Sequence, residues 1–163
     1  MAQLRIRQAV RALLVTPDQH ILLVRFEFPT RTVWALPGGG LDPGETHIDA
    51  LHRELIEEVG LHDPVVGAHV WDREHLIAHD DGLWDGQRDR YYLVETVERF
   101  EPAPALSWEQ LRAERLHELR WWHIDDIERA TIDGAWFSPR ALAAHLRVLI
   151  SDGPPAAPID TGV

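Results

Sequence analysis

Cysteine and lysine are both missing from this chain of 163 residues. Without cysteine there are no thiol nucleophiles, thiolate zinc sites or disulfides, and a reducing compartment suits the composition. Since all 16 basic residues are arginine, Schiff-base chemistry and the phosphate-binding lysine of a Walker loop are excluded as well. Serine is scarce: Ser107, Ser138 and Ser151 all lie outside any G-x-S-x-G turn, which argues against a serine hydrolase. Apolar runs reach only about four residues, against the roughly 18 needed to span a bilayer, and no signal-peptide core opens the chain. A soluble, cytoplasmic protein without a membrane partner is expected. Positive charge is also in short supply, with 16 basic against 27 acidic residues and a net charge of −11. That balance argues against coating nucleic acid, and an anionic substrate would have to be screened by a cation or by a local arginine cluster.

What is present reads as one α/β domain over residues 1–152, followed by a mobile, proline-rich tail over 153–163. A chain this long buries roughly 68–70% of its unfolded surface and needs no disulfide or structural metal. Gln8–Thr16 and His20–Phe28 flank the turn Thr16-Pro17-Asp18-Gln19 and predict two paired strands. Trp34-Ala35-Leu36 is a third, running into Pro37-Gly38-Gly39-Gly40-Leu41-Asp42-Pro43-Gly44. That loop is too rich in glycine and proline for regular structure, and it permits very close approach of the backbone to another group. Thr46 with Asp49 starts a helix whose apolar stripe is Ile48, Leu51, Leu55 and Val59 and which Gly60 stops. Further strands are expected over Pro64–Trp71, Arg90–Val97 and Leu119–Ile124. Helices are expected over Trp108–Arg115, capped by Ser107, and over Arg140–Ile150, with Ser138 as N-cap and Pro139 as first helical residue.

Chemistry concentrates on the first helix. At about 100° per residue, Glu54, Glu57 and Glu58 share the edge beside the apolar stripe. The pairs Glu54–Glu58 and Glu54–Glu57 are like charges at i,i+4 and i,i+3, each costing a few tenths of a kcal/mol on an exposed helix. Arg53 neutralises only one of them. A hard divalent cation would relieve the repulsion, because Mg²⁺ takes one or two carboxylates together with waters and substrate phosphates. The glycine loop brings free backbone amides to the start of the same helix, where phosphates are favoured. A solvated acidic face and a plain tight turn are the bland readings of these two features, and their coincidence favours the functional one.

Gly39, Glu45 and then Arg53-Glu54-Leu55-Ile56-Glu57-Glu58-Val59-Gly60-Leu61 fill every fixed position of G-x5-E-x7-R-E-U-x-E-E-x-G-U, where U is a bulky aliphatic. This segment resembles the signature of the Nudix (MutT-type) hydrolases. The resemblance implies an α/β/α sandwich with a mixed sheet, and Mg²⁺- or Mn²⁺-dependent hydrolysis of a nucleoside diphosphate linked to another group X, by water attack at phosphorus. It implies metal ligation by Glu54, Glu57 and Glu58 with the Gly38 carbonyl as an extra ligand, and catalytic roles for Arg53, Glu54 and Glu57. Arg53 would pair with Glu45 or Glu57, Glu45 supporting the site, and Gly39 and Gly40 would approach the phosphates. The general base would be Glu54 or Glu57, with Glu95 on a later strand as an outside candidate. Dimers are common among such enzymes, so a homodimer is compatible. A catalytically silent domain that senses a nucleotide is the alternative; an isomerase on the same fold would lack its cysteine.

Substrate recognition is expected between Asp72 and Asp89, an irregular connection of about 18 residues, a length typical of binding loops or disordered segments; a disordered surface hairpin tip, favoured by Asp80-Asp81-Gly82 and Asp85-Gly86, is the equal alternative. Arg73, Arg88 and Arg90 supply positive charge there, and Trp84 a ring for stacking, so Trp84 and Arg88 are the substrate-binding candidates. Glu74-His75-Leu76-Ile77-Ala78-His79 has no zinc-ligand spacing. Core packing is the expected role of most of the seven tryptophans.

Overall fold

The computed structural model describes residues 2–96 and 98–163. Its strands are β1 (Ile6–Val15), β2 (His20–Phe28), β3 (Arg31–Ala35), β4 (Gly38–Gly40), β5 (Val66–His75), β6 (Gly86–Glu95), β7 (Leu116–His123), β8 (Phe137–Ser138) and β9 (Ile159–Asp160). The helices are α1 (His47–Glu54), continued by a π-helical turn over Leu55–Val59, α2 (Trp108–Ala113), α3 (Ile124–Ile132) and α4 (Leu142–Asp152). The strands form a mixed sheet in the order β8-β3-β2-β1-β6-β5-β9, with β4 paired to β1 and β7 to β2.

Alternation along β1 sorts its side chains onto two faces. Leu13 joins Ile21, Leu23, Trp71 and Tyr91 in a core closed by Ile124 and Ile127 of α3 and Leu142, Leu146 and Leu149 of α4. Val10, Ala12 and Leu14 point the other way, onto Ala50, Leu51, Leu55 and Val59 of α1 and its π turn. A smaller cluster seats α2 through Leu111 on Val24 and Ala35. The result is the expected α/β sandwich with a mixed sheet.

Long-range pairing overrode several local expectations. The two N-terminal strands meet only at Val15↔Ile21, where their turn joins them. Beyond that point β1 lies parallel to β6 along its whole length and antiparallel to β4, while β2 turns to β3 and β7. The glycine loop is partly a strand, because Gly38–Gly40 fills the edge of β1 that β2 vacates. The connection expected to be irregular over Asp72–Asp89 is mostly a hairpin. Cross-strand pairing carries β5 and β6 on to His75↔Gln87, leaving residues 76–85 as its tip. The strand expected over Arg90–Val97 therefore starts earlier, and Val97 lies outside the described residues.

The C-terminal helix begins at Leu142 rather than Arg140. Ser138 does not cap it, because Phe137 and Ser138 pair in parallel with Trp34 and Ala35 of β3. Helix α3 follows directly on β7 and begins at Ile124, so the strand expected over Leu119–Ile124 ends one residue sooner. Residues 159–160 of the tail pair in parallel with Trp71 and Asp72 of β5. Among the described residues no helix is long and apolar enough to cross a membrane.

Candidate active site

Helix α1 begins as its sequence predicts. The Thr46 hydroxyl accepts from the Asp49 N–H at 3.1 Å and the Asp49 carboxylate accepts from the Thr46 N–H at 3.4 Å, a closed capping box. Gly60 ends the helical run at φ +75°, where an added Cβ would stand 1.9 Å from the Ala103 carbonyl oxygen, so both conformation and space require glycine. Leu51, Leu55 and Val59 are buried as expected, whereas Ile48 stays 39% exposed.

The acidic edge is not the solvated face that an isolated helix would present. Glu54 and Glu58 are buried, 7% and 2% exposed, while Glu57 is half-buried. The cause is β4, which lies against this edge. The Gly38 N–H donates to Glu58 Oε2 at 3.0 Å. A Cβ on Gly39 would stand 2.3 Å from Glu54 Oε1, so the missing side chain is the space that Glu54 occupies. At Gly38, with φ +146°, a Cβ would meet the Val10 carbonyl oxygen at 1.9 Å. Burial pushes both the Glu54 and the Glu58 carboxyl above the usual range; Arg53 opposes the shift at Glu54, and Glu54 adds to it at Glu58.

Arg53 is the hub. Its Nε and Nη2 fork onto Glu45 at 2.6 and 3.0 Å, its Nη2 also reaches the Gly40 carbonyl at 3.0 Å, and its Nη1 donates to Glu54 at 3.0 Å and Glu57 at 3.3 Å. Both expected partners, Glu45 and Glu57, are therefore engaged at once. The fork and the Asp42 N–H hold the Glu45 carboxyl down at about 2. One planar guanidinium thus ties the loop, the glycine ribbon and the acidic edge together.

Two further groups meet this ribbon without having been expected there. The Arg11 Nη1 donates to the Gly38 carbonyl at 3.1 Å and to the Leu36 carbonyl at 3.3 Å, while its Nε bonds buried Asp89 at 3.0 Å. The Arg7 guanidinium lies across Gly40, where a Cβ would be 2.4 Å from Nε. In the sequence both arginines look like ordinary polar positions of an alternating strand. The signal available was only that β1 runs Arg7-x-x-x-Arg11 on one face, which carries no chemistry until β4 and β6 flank it.

The expected recognition residues do not assemble with these groups. Arg88 is exposed on β6 and its Nε donates to Glu74 Oε2 at 2.7 Å. It points to the opposite face from its neighbours Gln87 and Asp89. Trp84 is half-buried in the hairpin tip, its carbonyl accepting from the His79 N–H at 3.0 Å. Glu95 is exposed at the far end of β6 opposite Val15, four residues and roughly 13 Å along β1 from the level of Gly38. Among the described residues no three His, Asp or Glu side chains form a ready-made metal cage. The donor set nevertheless fits a hard cation: two buried carboxylates and a half-buried third, all oxygen, beside a ribbon stripped of side chains.

The sequence model of the NUDIX domain matches residues 5–146, and the chain belongs to the Nudix family. Among curated proteins it resembles the RNA pyrophosphohydrolase of Helicobacter pylori (strain G27), with 32% identity over 102 residues that cover 58% of this chain and 66% of the relative. The chain thus spans just under two thirds of that relative's length. Among solved structures it resembles the E. coli ORF135 protein, with TM-score 0.61 and 22% identity over 94% of this chain and 96% of that one. A C. elegans Ap4A hydrolase matches with TM-score 0.64 and 17% identity, over 90% of this chain and 98% of that one. Those two likenesses establish the fold.

Proposed function

We propose that this Nudix chain is a cytoplasmic pyrophosphohydrolase that cleaves the diphosphate of a nucleoside diphosphate linked to a further group, by attack of water at phosphorus. The carrying observation is that two of three clustered carboxylates are buried against a ribbon of three glycines, an arrangement that is costly unless a cation and a phosphate complete it. Mg²⁺ or Mn²⁺ would be held by Glu54, Glu57 and Glu58, with the lone pair of the Gly38 carbonyl that Arg11 does not use. When bound, such an ion lowers the pKa of water and neutralises charge on the phosphates.

The chain's own residues do the rest. Glu57, half-buried and reached by Arg53, or Glu54 accepts the proton of the attacking water. The water oxygen forms a new bond to phosphorus as the bridging P–O bond breaks, so two phosphorylated products leave. Arg53 keeps Glu54 and Glu57 oriented, and Glu45 keeps Arg53 oriented. Gly39 and Gly40, having no side chains of their own, leave room for Glu54 and Arg7 beside the backbone that the phosphates approach. The names of the relatives bring RNA and dinucleoside polyphosphates into the substrate class for this chain.

A panel of a nucleoside triphosphate, ADP-ribose, diadenosine tetraphosphate and a 5′-triphosphorylated RNA oligonucleotide, with and without Mg²⁺, tests the reading. Divalent-dependent release of phosphate or nucleoside monophosphate from at least one of them is expected. Absence of release from all, while the protein still binds a nucleotide, would leave the silent sensor as the function.

A further inference from the structure

The registers of β1, β6 and β5 place nine side chains on one face in three rows: Arg7–Gln87–His75, Ala9–Asp89–Arg73 and Arg11–Tyr91–Trp71. The last row borders the apolar core under α4, where Trp71 meets the ring of His145. The first two rows are polar and adjoin the glycine ribbon. Three arginines share this face with one carboxylate, Asp89, which is 1% exposed. The net charge of the cluster is therefore +2, in a chain that carries −11 overall.

Asp89 is committed. It accepts from Arg11 Nε at 3.0 Å and Gln87 Nε2 at 2.9 Å, and Arg73 Nη1 stands 3.5 Å from its second oxygen. Arg11 is satisfied by that bond and by two carbonyls. Arg7 is not: its Nη1 donates to Gln87 Oε1 at 3.0 Å, and no carboxylate pairs with it among the described residues. Burial and the neighbouring charge of Arg11 lower its affinity for a proton. The Arg73 Nε is buried without a hydrogen-bond partner, although the side chain is only 11% exposed. A half-buried guanidinium with unspent donors is expensive unless an anion arrives to meet it. Gln87 acts as a positioning residue, since its amide links Arg7 to Asp89 and fixes the fork against Gly40.

We propose that Arg7 and Arg73 form a second anion subsite, which receives the phosphoryl groups of the substrate lying beyond those at the glutamates, so that the site selects a polyphosphate of three or more phosphoryl groups. The assignment rests on the pyrophosphohydrolase reading for its direction: Gly39 and Gly40 are adjacent, the first making room for Glu54 and the second for the Arg7 guanidinium, so a chain of phosphoryl groups that starts at Glu54 reaches Arg7 by rounding two residues of the ribbon. Negative charge along that path meets arginine on one side of the ribbon and carboxylate, needing a cation, on the other.

The test is isothermal titration of the whole chain in EDTA with inorganic tripolyphosphate and, separately, inorganic pyrophosphate. Wild type is expected to bind tripolyphosphate more tightly than pyrophosphate. Arg7→Gln and Arg73→Gln should each weaken tripolyphosphate by about tenfold or more and erase that preference. Arg147→Gln, which removes the same charge from a surface pair with Asp125 and Glu128, should stay within about twofold. Circular dichroism of each variant establishes that it is folded, and Arg7→Lys, which keeps the charge, should recover part of the loss. Equal binding by wild type, Arg7→Gln and Arg73→Gln, or no binding by wild type, overturns the subsite. This readout is independent of turnover. Arginine-dependent binding without cleavage of any nucleotide would fault the hydrolase reading alone, and cleavage without arginine-dependent binding would fault the subsite alone.

Discussion

The ribbon Gly38–Gly40 separates two groups of like charges. On one side Glu54, Glu57 and Glu58 come from a single stretch of five residues, and on the other Arg7, Arg11 and Arg73 come from strands up to 66 residues apart in the chain (73 − 7 = 66). The acidic group is held by one cation, Arg53, and one backbone N–H, while the basic group is held by one anion, Asp89, one amide, Gln87, and the Leu36 and Gly38 carbonyls. Each is left with surplus charge of its own sign, and Glu54 on one side and Arg7 and Arg11 on the other meet the ribbon directly. The difference teaches that a polar site can be assembled by a helix period or by a strand register, and that only the first leaves a mark in consecutive sequence.

The largest expected effect breaks the acidic side. Glu57→Gln should lower kcat on the order of 10²–10³-fold with near-UV dichroism unchanged, because Glu57 is half-buried and contributes nothing to the apolar stripe. Glu58→Gln should lower kcat as far while its Tm without divalent ion stays at or above that of wild type, since an uncharged amide still accepts from the Gly38 N–H and relieves a desolvated charge. Wild-type turnover in both variants would remove the glutamates from the chemistry, and a large fall in Tm for Glu58→Gln would make that carboxylate structural.

Next comes the ribbon itself. Gly39→Ala drives a methyl group into Glu54, so a loss of about 1–3 kcal/mol in stability and a diminished Mg²⁺-dependent rise in Tm are expected. An unaltered thermal shift would show that Glu54 is free to move aside. Removing divalent ion from wild type should lower Tm only slightly and leave near-UV dichroism in place, because two apolar cores on opposite faces of the sheet hold the fold. A collapse on chelation would contradict this.

A smaller effect depends on pH. The folded-state pKa of Glu45, about 2, lies below its ordinary value of 4.5, so the pair with Arg53 stabilises the folded chain above about pH 5. That contribution is lost progressively as pH falls from 4.5 towards 2. The Tm difference between wild type and Glu45→Gln should therefore be constant from pH 6 to 8 and shrink in acid; a difference that widened in acid would reverse the sign of the coupling. The smallest effects belong to the hairpin. Arg88→Gln and Trp84→Ala should change KM by less than about threefold, because Arg88 is spent on a surface pair with Glu74. A larger rise in either would move recognition to the tip and away from Arg7.

Local order was readable wherever neighbours in sequence are neighbours in space. Thr46 and Asp49 close a capping box, Gly60 ends the helix, and Arg53 with its glutamates follows the helical period, so the chain's order of residues alone determined the acidic edge. The Nudix signature belongs to the same class, being one contiguous segment. What residue order could not carry was anything decided by strand partners. Alternation in β1 predicts which residues share a face, but not that β6 runs beside it in parallel, which is what sets Arg7 against Gln87 and Arg11 beside Asp89. Nor does an acidic helix edge announce its own burial: Glu54 and Glu58 are hidden because β4 settles on the edge of β1 that β2 leaves free. The sequence by itself therefore determined which carboxylates stand together. Tertiary pairing alone decided that they are desolvated and that an arginine cluster faces them across the ribbon, because hydrogen bonds between strands join residues without regard to their distance along the chain.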